Sequence, residues 1–452
     1  MNKKSGFYTW LVSRYLFRLH EWLKGHQTYR MLARLEQQQW LSADAVAKVQ
    51  QQRLQQFMQQ VVANNAYYQQ VFADLGLTAA DIQSSQDLAK LPFLTKTVIK
   101  QQREPLKTKG LGPFIQYNTG GSSGEPLVFF MGEPRVSHDV AAKLRATRWW
   151  GVDIGDCEAV LWGSPIELGK QDKIKQLRDW LFRSHLLPAF NLTAASTQSY
   201  LQQLKQLRPK MLFGYPSVIH QLAQAAQQQQ TDMSQLGIQV VFVTSEMLYP
   251  HQRELIEQVF AAPVANGYGA RDAGFIAHQC PAGSLHISAE DIIVEIIGPD
   301  DQPVAPGQMG EIVITHLQTQ DYPFIRYRTG DMGTIGTTAC SCGRGLPVLS
   351  EVQGRSTDFL LTTAGDKMHA LALIYIVRTL PQVAKFKIVQ QSRQHTELQL
   401  VLNSTLTAAE QQQIVQGFQA RLGNTAQINI RIVDDISPGK NGKYRYVENL
   451  VS

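Results

Sequence analysis

The chain has 452 residues, 44% of them hydrophobic and 18% charged, with a formal net charge of +6. That length exceeds one ordinary core and that composition excludes a disordered polymer, so a soluble protein of two or more domains is expected. The modest positive balance fits an anionic ligand or a membrane surface; it is too weak to indicate nucleic acid, no DNA- or RNA-binding motif accompanies it, and no nucleic-acid partner is expected.

The first seventeen residues, MNKKSGFYTWLVSRYLF, carry basic and apolar residues but no uninterrupted apolar stretch and no small-residue cleavage site. A signal peptide is therefore not expected, and no run in the chain is long enough to span a bilayer. Phe7, Trp10, Leu11, Tyr15, Leu19, Trp22 and Leu23 recur at helical spacing, with Arg14, Arg18 and Lys24 between them. Such a helix either packs on the body of the protein or lies on an anionic membrane as a basic amphipathic helix. The second reading gives a peripheral contact at the inner face of the membrane. The first hundred residues read as helical, and the glutamine runs at Gln37–Gln39 and Gln227–Gln230 read as polar helix faces.

From about Phe114 short apolar runs alternate with helices. Ala159–Trp162, Met211–Phe213 and Val240–Val243 read as buried strands, with helices over Thr197–Leu207 and Pro250–Phe260 between them, which predicts an α/β body. Ile292–Ile297 and Glu311–Thr315 read as strands with no helix between them, hence a β-rich subregion. Near the end, Leu371–Leu380 and Ala408–Leu422 read as helices; Phe386–Val389, Leu398–Leu402 and Ile428–Val433 read as strands. The expected organisation is a helical region 1–110 packing on the body, a large multi-layer α/β body 111–353, a hinge 354–358, and a small mobile α+β unit 359–452.

Four stretches can carry chemistry. YNTGGSSGEP, Tyr117–Pro126, combines glycines that expose backbone N–H groups with hydroxyls, so it is either a phosphate cradle or a flexible turn. It is not the Walker pattern, because no Gly-Lys-Ser/Thr follows. NGYGARDAG, Asn266–Gly274, offers a ring for a purine and a carboxylate that can help hold Mg²⁺, or else a tight turn with a surface ion pair. RYRTGDMG, Arg326–Gly333, reads as a carboxylate in a glycine turn after a strand, suited to two ribose hydroxyls. SPGKNGKYRYV, Ser437–Val447, holds a lysine able to neutralise developing negative charge, or is a solvated basic loop.

In this order, together with GRSTD at Gly354–Asp358, these stretches resemble the adenylate-forming superfamily of acyl-CoA synthetases. The likeness is to the branch of phenylacetate–CoA ligase and the capsular-polysaccharide protein CapK. NNAYYQQVF, DLAKLPFLTK, FGYPS and TSEML also look like segments of that branch. The resemblance implies an ANL-type fold and a ligase that uses ATP and Mg²⁺ to turn a small carboxylic acid into an acyl-adenylate. The acyl group then passes to CoA, or to an amine, hydroxyl or carrier in surface-polysaccharide biosynthesis. It implies that Thr119, Gly120, Gly121, Ser122, Ser123 and Gly124 form the phosphate loop. Ser245 and Glu246 flank adenine, Tyr268 with Gly269 packs on it, and Asp331 binds ribose. Arg355 is the arginine that follows, and Lys443 contacts the reacting carboxylate and α-phosphate. Asp272 stands where the family usually has Glu, Arg271 where many members have Thr, and Thr357 where a hinge Asp is common. Tyr215 and the segment Trp162–Pro165 are candidates for the acid pocket. A homodimer is compatible with this reading. The alternative is a catalytically reduced nucleotide-binding scaffold docked to a membrane polysaccharide assembly complex.

Four cysteines are too few for a disulfide framework, which points to a reducing, cytoplasmic setting. Cys280, Cys340 and Cys342 with His286 make a tetrahedral zinc set; His278 is a rival ligand, and three reduced thiols beside a surface histidine are the alternative. The CxCGR segment resembles one found in CapK-like relatives, which implies a structural Zn²⁺. Cys157 has no visible partners and reads as a buried apolar residue.

Overall fold

A computed structural model of the chain describes residues 6–118, 127–162, 173–189, 194–353, 359–436 and 447–451. Helices fill the first part. A continuous helical stretch, Phe7–Leu11, Val12–Leu16 and Phe17–Leu23, has one π-helical segment in its middle. Thr28–Gln38, Ala43–Asn64 and Ala66–Leu75 follow. The Ser42 hydroxyl accepts the Ala45 N–H at 3.3 Å and the Asn65 side chain accepts the Tyr68 N–H at 3.2 Å, so two of these helices begin at satisfied caps. No helix among the described residues is long and apolar enough to cross a membrane.

These helices share a core with the sheet behind them. Leu54, Phe57, Val61 and Phe72 pack with Phe129, Ile276, Ile314 and Phe324. Each such buried phenylalanine or leucine contributes about 1.5–3 kcal/mol of transfer free energy.

A hairpin of β1 (Ile115–Asn118) and β2 (Val128–Met131) leads into a helix, Glu133–Trp149. The strands that follow are β3 (Glu158–Trp162), β4 (Ser184–Pro188), β5 (Met211–Gly214), β6 (Val240–Thr244) and β7 (Val264–Ala270). They pair in parallel in the order β4-β3-β5-β6-β7. Helices Ala194–Leu207, Pro216–Gln228 and Pro250–Phe260 connect them. The sheet then turns antiparallel through β8 (Gly274–Gln279), β9 (Leu285–Ile287), β10 (Ile292–Ile297), β11 (Gly310–His316), β12 (Phe324–Ile335) and β13 (Val348–Gln353). The full order of eleven strands is β10-β11-β12-β13-β9-β8-β7-β6-β5-β3-β4.

The antiparallel strands form the expected β-rich part of the body and are the other half of the same sheet. One expectation from the sequence needs correcting here. RYRTGDMG is not a turn after a strand; it lies inside the twelve-residue β12, where Gly330 has φ +82° and the ladder shifts register.

The last unit has its own core of Leu373, Phe386, Leu398, Ile414 and Phe418. Beside the small ladder of β14 (Phe359–Leu361) and β15 (Lys367–His369), it holds β16 (Val383–Gln390), β17 (His395–Leu402), β18 (Gln427–Ile432) and β19 (Val447–Asn449). The larger sheet runs β18-β17-β16-β19, backed by helices Leu371–Arg378 and Ala408–Leu422.

A buried polar hub joins the N-terminal helices to the sheet. Asp291 is fully buried and accepts from Arg34 at 2.7 Å, Arg53 at 2.8 Å and the Gln318 amide at 2.8 Å. His138 Nε2 lies 3.4 Å from the same carboxylate. Beside it, Arg145 donates to Glu290 at 2.5 Å and to the Ser288 hydroxyl at 3.1 Å.

Burial pushes the pKa of both His278 and His316 down to about 3. Folded, they stay neutral in mild acid; unfolded, they take protons near the ordinary value of about 6.5. The unfolded chain then binds more protons, so stability is full above about pH 6.5 and is lost as pH falls toward 3. Two such groups give a loss of about 2–3 kcal/mol per pH unit within that window. Denaturant unfolding at pH 7, 6 and 5, followed by tryptophan fluorescence, should show the midpoint falling; a flat profile would rule out this account of the two imidazoles.

Candidate functional site

The carboxyl ends of the parallel strands meet the β7–β8 turn and β12, and the sequence-predicted groups of the body gather there. Tyr268, near the end of β7, donates its hydroxyl to Asp331 Oδ2 at 3.0 Å. Asp331 is set by the β12 bulge: its N–H donates to Thr329 Oγ1 at 3.1 Å, and the Gly330 N–H donates to Glu311 at 3.1 Å. Asp272, in the turn between β7 and β8, is almost wholly buried and accepts the Tyr327 hydroxyl. Arg135 Nη2 lies 3.4 Å from the carbonyl oxygens of both Arg271 and Asp272, which steadies the turn. Arg271 Nη1 donates to the Asn118 carbonyl at 3.1 Å. Since Asn118 pairs with Val128, the two ends of the glycine-rich stretch are held beside the Asp272 turn. Thr119–Gly124 themselves, Arg355, Thr357 and Lys443 lie outside the described residues.

Thr244 at the end of β6 pairs with Gly267, so Ser245 follows directly beside Tyr268. Ser245 has φ +71°, a conformation that costs a non-glycine residue about 1–3 kcal/mol and is found at ligand sites. Glu246 accepts the Ser217 N–H at 3.3 Å at the start of helix Pro216–Gln228. Burial holds its carboxyl above the usual carboxylate range.

The strand order reverses between β3 and β5, the place where open α/β sheets bind ligands. Trp162 at the end of β3 and Tyr215 just after β5 stack there with ring centroids 4.4 Å apart and planes within 18°. Gly214 is required by this approach, because a Cβ on it would sit 2.4 Å from the Leu161 carbonyl oxygen. An open groove of 420 Å³ lies instead along the edge strand β4, lined by Ser184 to Leu187 with Trp180 and Gln203.

Cys280, His286, Cys340 and Cys342 bring one ligand atom each within 4.8 Å of one another. Cys280 follows β8, His286 is on β9, and Cys340 and Cys342 lie between β12 and β13. The sulfurs of Cys280 and Cys340 are 3.7 Å apart, and Cys342 Sγ is 3.2 Å from His286 Nε2. His286 Nδ1 lies 3.1 Å from the Leu346 carbonyl, which can only accept, so Nδ1 carries the proton and Nε2 keeps its lone pair. That donor set suits Zn²⁺. His278 is outside this group; it stacks on Phe275 at 5.5 Å. Cys157 is buried, with its thiol 3.6 Å from the Leu207 carbonyl.

A second group, His138, Asp139 and His316, is equally close but reads differently. The Gln318 N–H donates to His316 Nδ1 at 3.2 Å, which leaves the proton of the neutral ring on Nε2, the atom facing Asp139. A metal needs that lone pair. The cluster is therefore an internal polar network, with Arg135 donating to Asp139 at 3.0 Å.

Sequence reasoning missed Tyr327 and Arg135. Tyr327 sits inside RYRTGDMG, where its signal was hidden among residues read as a turn. Arg135 carries no motif at all.

The AMP-binding enzyme family matches residues 182–319, and the CapK C-terminal domain matches residues 360–450. Protein CapK of Staphylococcus aureus is 23% identical over 421 residues, 89% of each chain. Phenylacetate-coenzyme A ligase of Pseudomonas putida is 24% identical over 398 residues, 84% of each chain. The solved structure of 2-hydroxyisobutyryl-CoA ligase with 2-HIB-AMP and CoA superposes with a TM-score of 0.64 at 20% identity, covering 92% of both chains. Both family matches fall in order along one fold of this kind, and together with these relatives they support a place in the adenylate-forming superfamily of ligases, in the branch of CapK and the phenylacetate–coenzyme A ligases.

Proposed function

We propose that the protein activates a small carboxylic acid with ATP. A carboxylate oxygen attacks the α-phosphorus, the bond to pyrophosphate breaks, and an acyl-adenylate forms. CoA then attacks the acyl carbon through its thiol sulfur, AMP departs, and the thiol proton goes to solvent. The observation that carries this reading is the hydrogen bond from Tyr268 to Asp331, beside a turn that ties Asp272 to the entry of the glycine-rich stretch.

In this reading Tyr268, Ser245 and Glu246 border the adenine and Asp331 holds the ribose hydroxyls. Thr119–Gly124 wrap the phosphates. The Mg²⁺ that accompanies ATP supplies charge neutralisation, with Asp272 as its carboxylate. Trp162 and Tyr215 wall the acid. Lys443 and Arg355 come from the 437–446 and 354–358 stretches, and rotation of the 359–452 unit about 354–358 changes which half-reaction is served. Rate enhancement rests on positioning and on fixed charges around a crowded phosphate. Zn²⁺ on Cys280, His286, Cys340 and Cys342 is structural.

Arg271 and Asp272 depart from the usual family residues, yet both have work in the fold: one anchors Asn118, the other takes Tyr327. That supports an active enzyme over a scaffold. The likeness to CapK extends the reading to a cytoplasmic role in surface-polysaccharide assembly, with an amine, hydroxyl or carrier as the alternative acceptor.

ATP–pyrophosphate exchange across a panel of carboxylic acids, each with and without CoA, tests the proposal. Acid-dependent exchange is expected; none with any acid would leave the scaffold reading. In the same assay Tyr268→Phe should raise the KM for ATP about 3–10-fold, the worth of one hydrogen bond, with kcat little changed. An unaltered KM would show that the Tyr268–Asp331 hydrogen bond does not serve nucleotide binding.

A further inference from the structure

Sixteen large apolar side chains are exposed among the described residues, and nine of them lie on one surface. Seven come from the helical stretch Phe7–Leu23, among them Phe7 at 77%, Trp22 at 74% and Leu23 at 70% exposed. The other two, Leu177 and Trp180, come from helix Lys173–Leu181. The two elements are in direct contact. The Tyr8 hydroxyl donates to the Leu181 carbonyl at 2.8 Å, Phe17 meets Phe182 edge-on at 5.4 Å, and Arg183 lies over the Tyr8 ring.

The first helical stretch already buries one side. Val12 and Phe17 pack on Leu32, Leu144 and Phe182. Its other side carries Phe7, Trp10 and Tyr15, which contact one another at 5.9 and 5.3 Å. A helix apolar on both sides is a helix with a second partner. The charges around it have one sign. Arg14, Arg18 and Lys24 are exposed, whereas Glu21, the lone carboxylate between Gly6 and Lys24, is 4% exposed and held by Thr28, His20 and His26. On the neighbouring element Lys175 and Arg183 are exposed, and Asp179 is paired with Arg178 at 2.5 Å.

We propose that this composite surface lies on an anionic lipid bilayer, with the Phe7–Leu23 helix in the plane of the interface and Trp180 beside it. Tryptophan and tyrosine favour the headgroup level, and the flanking cations match anionic lipid. A protein partner or a second copy would be expected to answer five exposed cations with carboxylates; among the described residues of these two elements, both carboxylates, Glu21 and Asp179, are already paired.

Flotation of the full chain with vesicles tests this. The protein should float with an equimolar mixture of phosphatidylglycerol and phosphatidylcholine and remain behind with phosphatidylcholine alone, and its tryptophan emission should shift to the blue on binding. Arg14→Gln with Lys24→Gln should weaken partitioning about 25-fold, at about fivefold per cation near an anionic surface. Trp22→Ser with Trp180→Ser should abolish flotation, while thermal melting and ATP–pyrophosphate exchange stay as in the parent. Failure to float with anionic vesicles overturns the proposal. So does equal flotation with neutral vesicles, or a fall in mass by light scattering on the tryptophan substitutions, which would make the surface an interface between copies.

Discussion

Lys443→Ala should slow acid-dependent ATP–pyrophosphate exchange by roughly 10²–10³-fold, the scale of losing one preorganised charge-stabilising group. The carboxylate that attacks the α-phosphorus is an anion approaching an anion, so the step needs a cation between them. Lys443 stands between the described residues Ile436 and Val447 of the unit, in a stretch rich in glycine and lysine. Its ammonium is a compact point charge suited to stand between two anions. The second half-reaction replaces AMP on an acyl carbon and does not bring two anions together. Thioester formation from a preformed acyl-adenylate and CoA should therefore stay within a few-fold of the parent rate. Exchange that survives the substitution would remove Lys443 from the chemistry. Equal loss in both half-reactions would make it a structural residue.

The second large effect concerns the cysteine cluster. Unchelated protein should carry about one zinc per chain, since the four ligand atoms form one tetrahedral set. Cys340→Ser with Cys342→Ser should empty it, while Cys157→Ser should not. The stability cost should be on the order of 3–6 kcal/mol, below the ~10–16 kcal/mol of isolated zinc-finger peptides, where the metal supplies the whole fold. The cost should be felt beyond the knuckle. Arg344 lies over the rings of Trp40 and Trp149 at 4.7 and 4.4 Å, and a Cβ on Gly345 would sit 2.0 Å from the Leu41 carbonyl oxygen. Loosening 340–345 therefore frees a clamp on the helices Thr28–Gln38 and Glu133–Trp149. Elemental analysis that finds no metal in freshly purified protein would end this assignment, and denaturant unfolding measures the cost.

Some of this was legible from the chain alone, and the reasons are local. Pro250–Phe260, Ile292–Ile297 and Ala408–Leu422 fall where the sequence predicts them. The first helix opens on proline, the last on the Thr407–Glu410 capping box, and the strand is an apolar run interrupted by Glu295 alone. Glu133–Trp149 was invisible because its buried side carries Arg135, His138 and Arg145, which no hydrophobic period marks. The partners of His138 and Arg145, Asp291 and Glu290, lie about 150 residues away in the chain, and only the finished sheet brings them close. β12 looked like a turn because Gly330 and Gly333 mimic one; its pairing with β11 and β13 is a long-range fact. At the site, the motif residues Tyr268, Asp272 and Asp331 were legible as pieces of a resemblance. What joins them, Tyr327 and the Arg271–Asn118 bond, depends on register between strands.

The Asp291 hub limits how far the chain can be shortened. Two of the three groups that donate to that carboxylate, Arg34 and Arg53, arrive from the opening helices. Trimming those helices as dispensable decoration would leave the buried carboxylate with Gln318 and His138 in place of two guanidinium groups, close to Ser288 and Glu290. The helical prologue is therefore part of the same folding unit as the nucleotide-facing sheet, and no minimal catalytic fragment can begin after it.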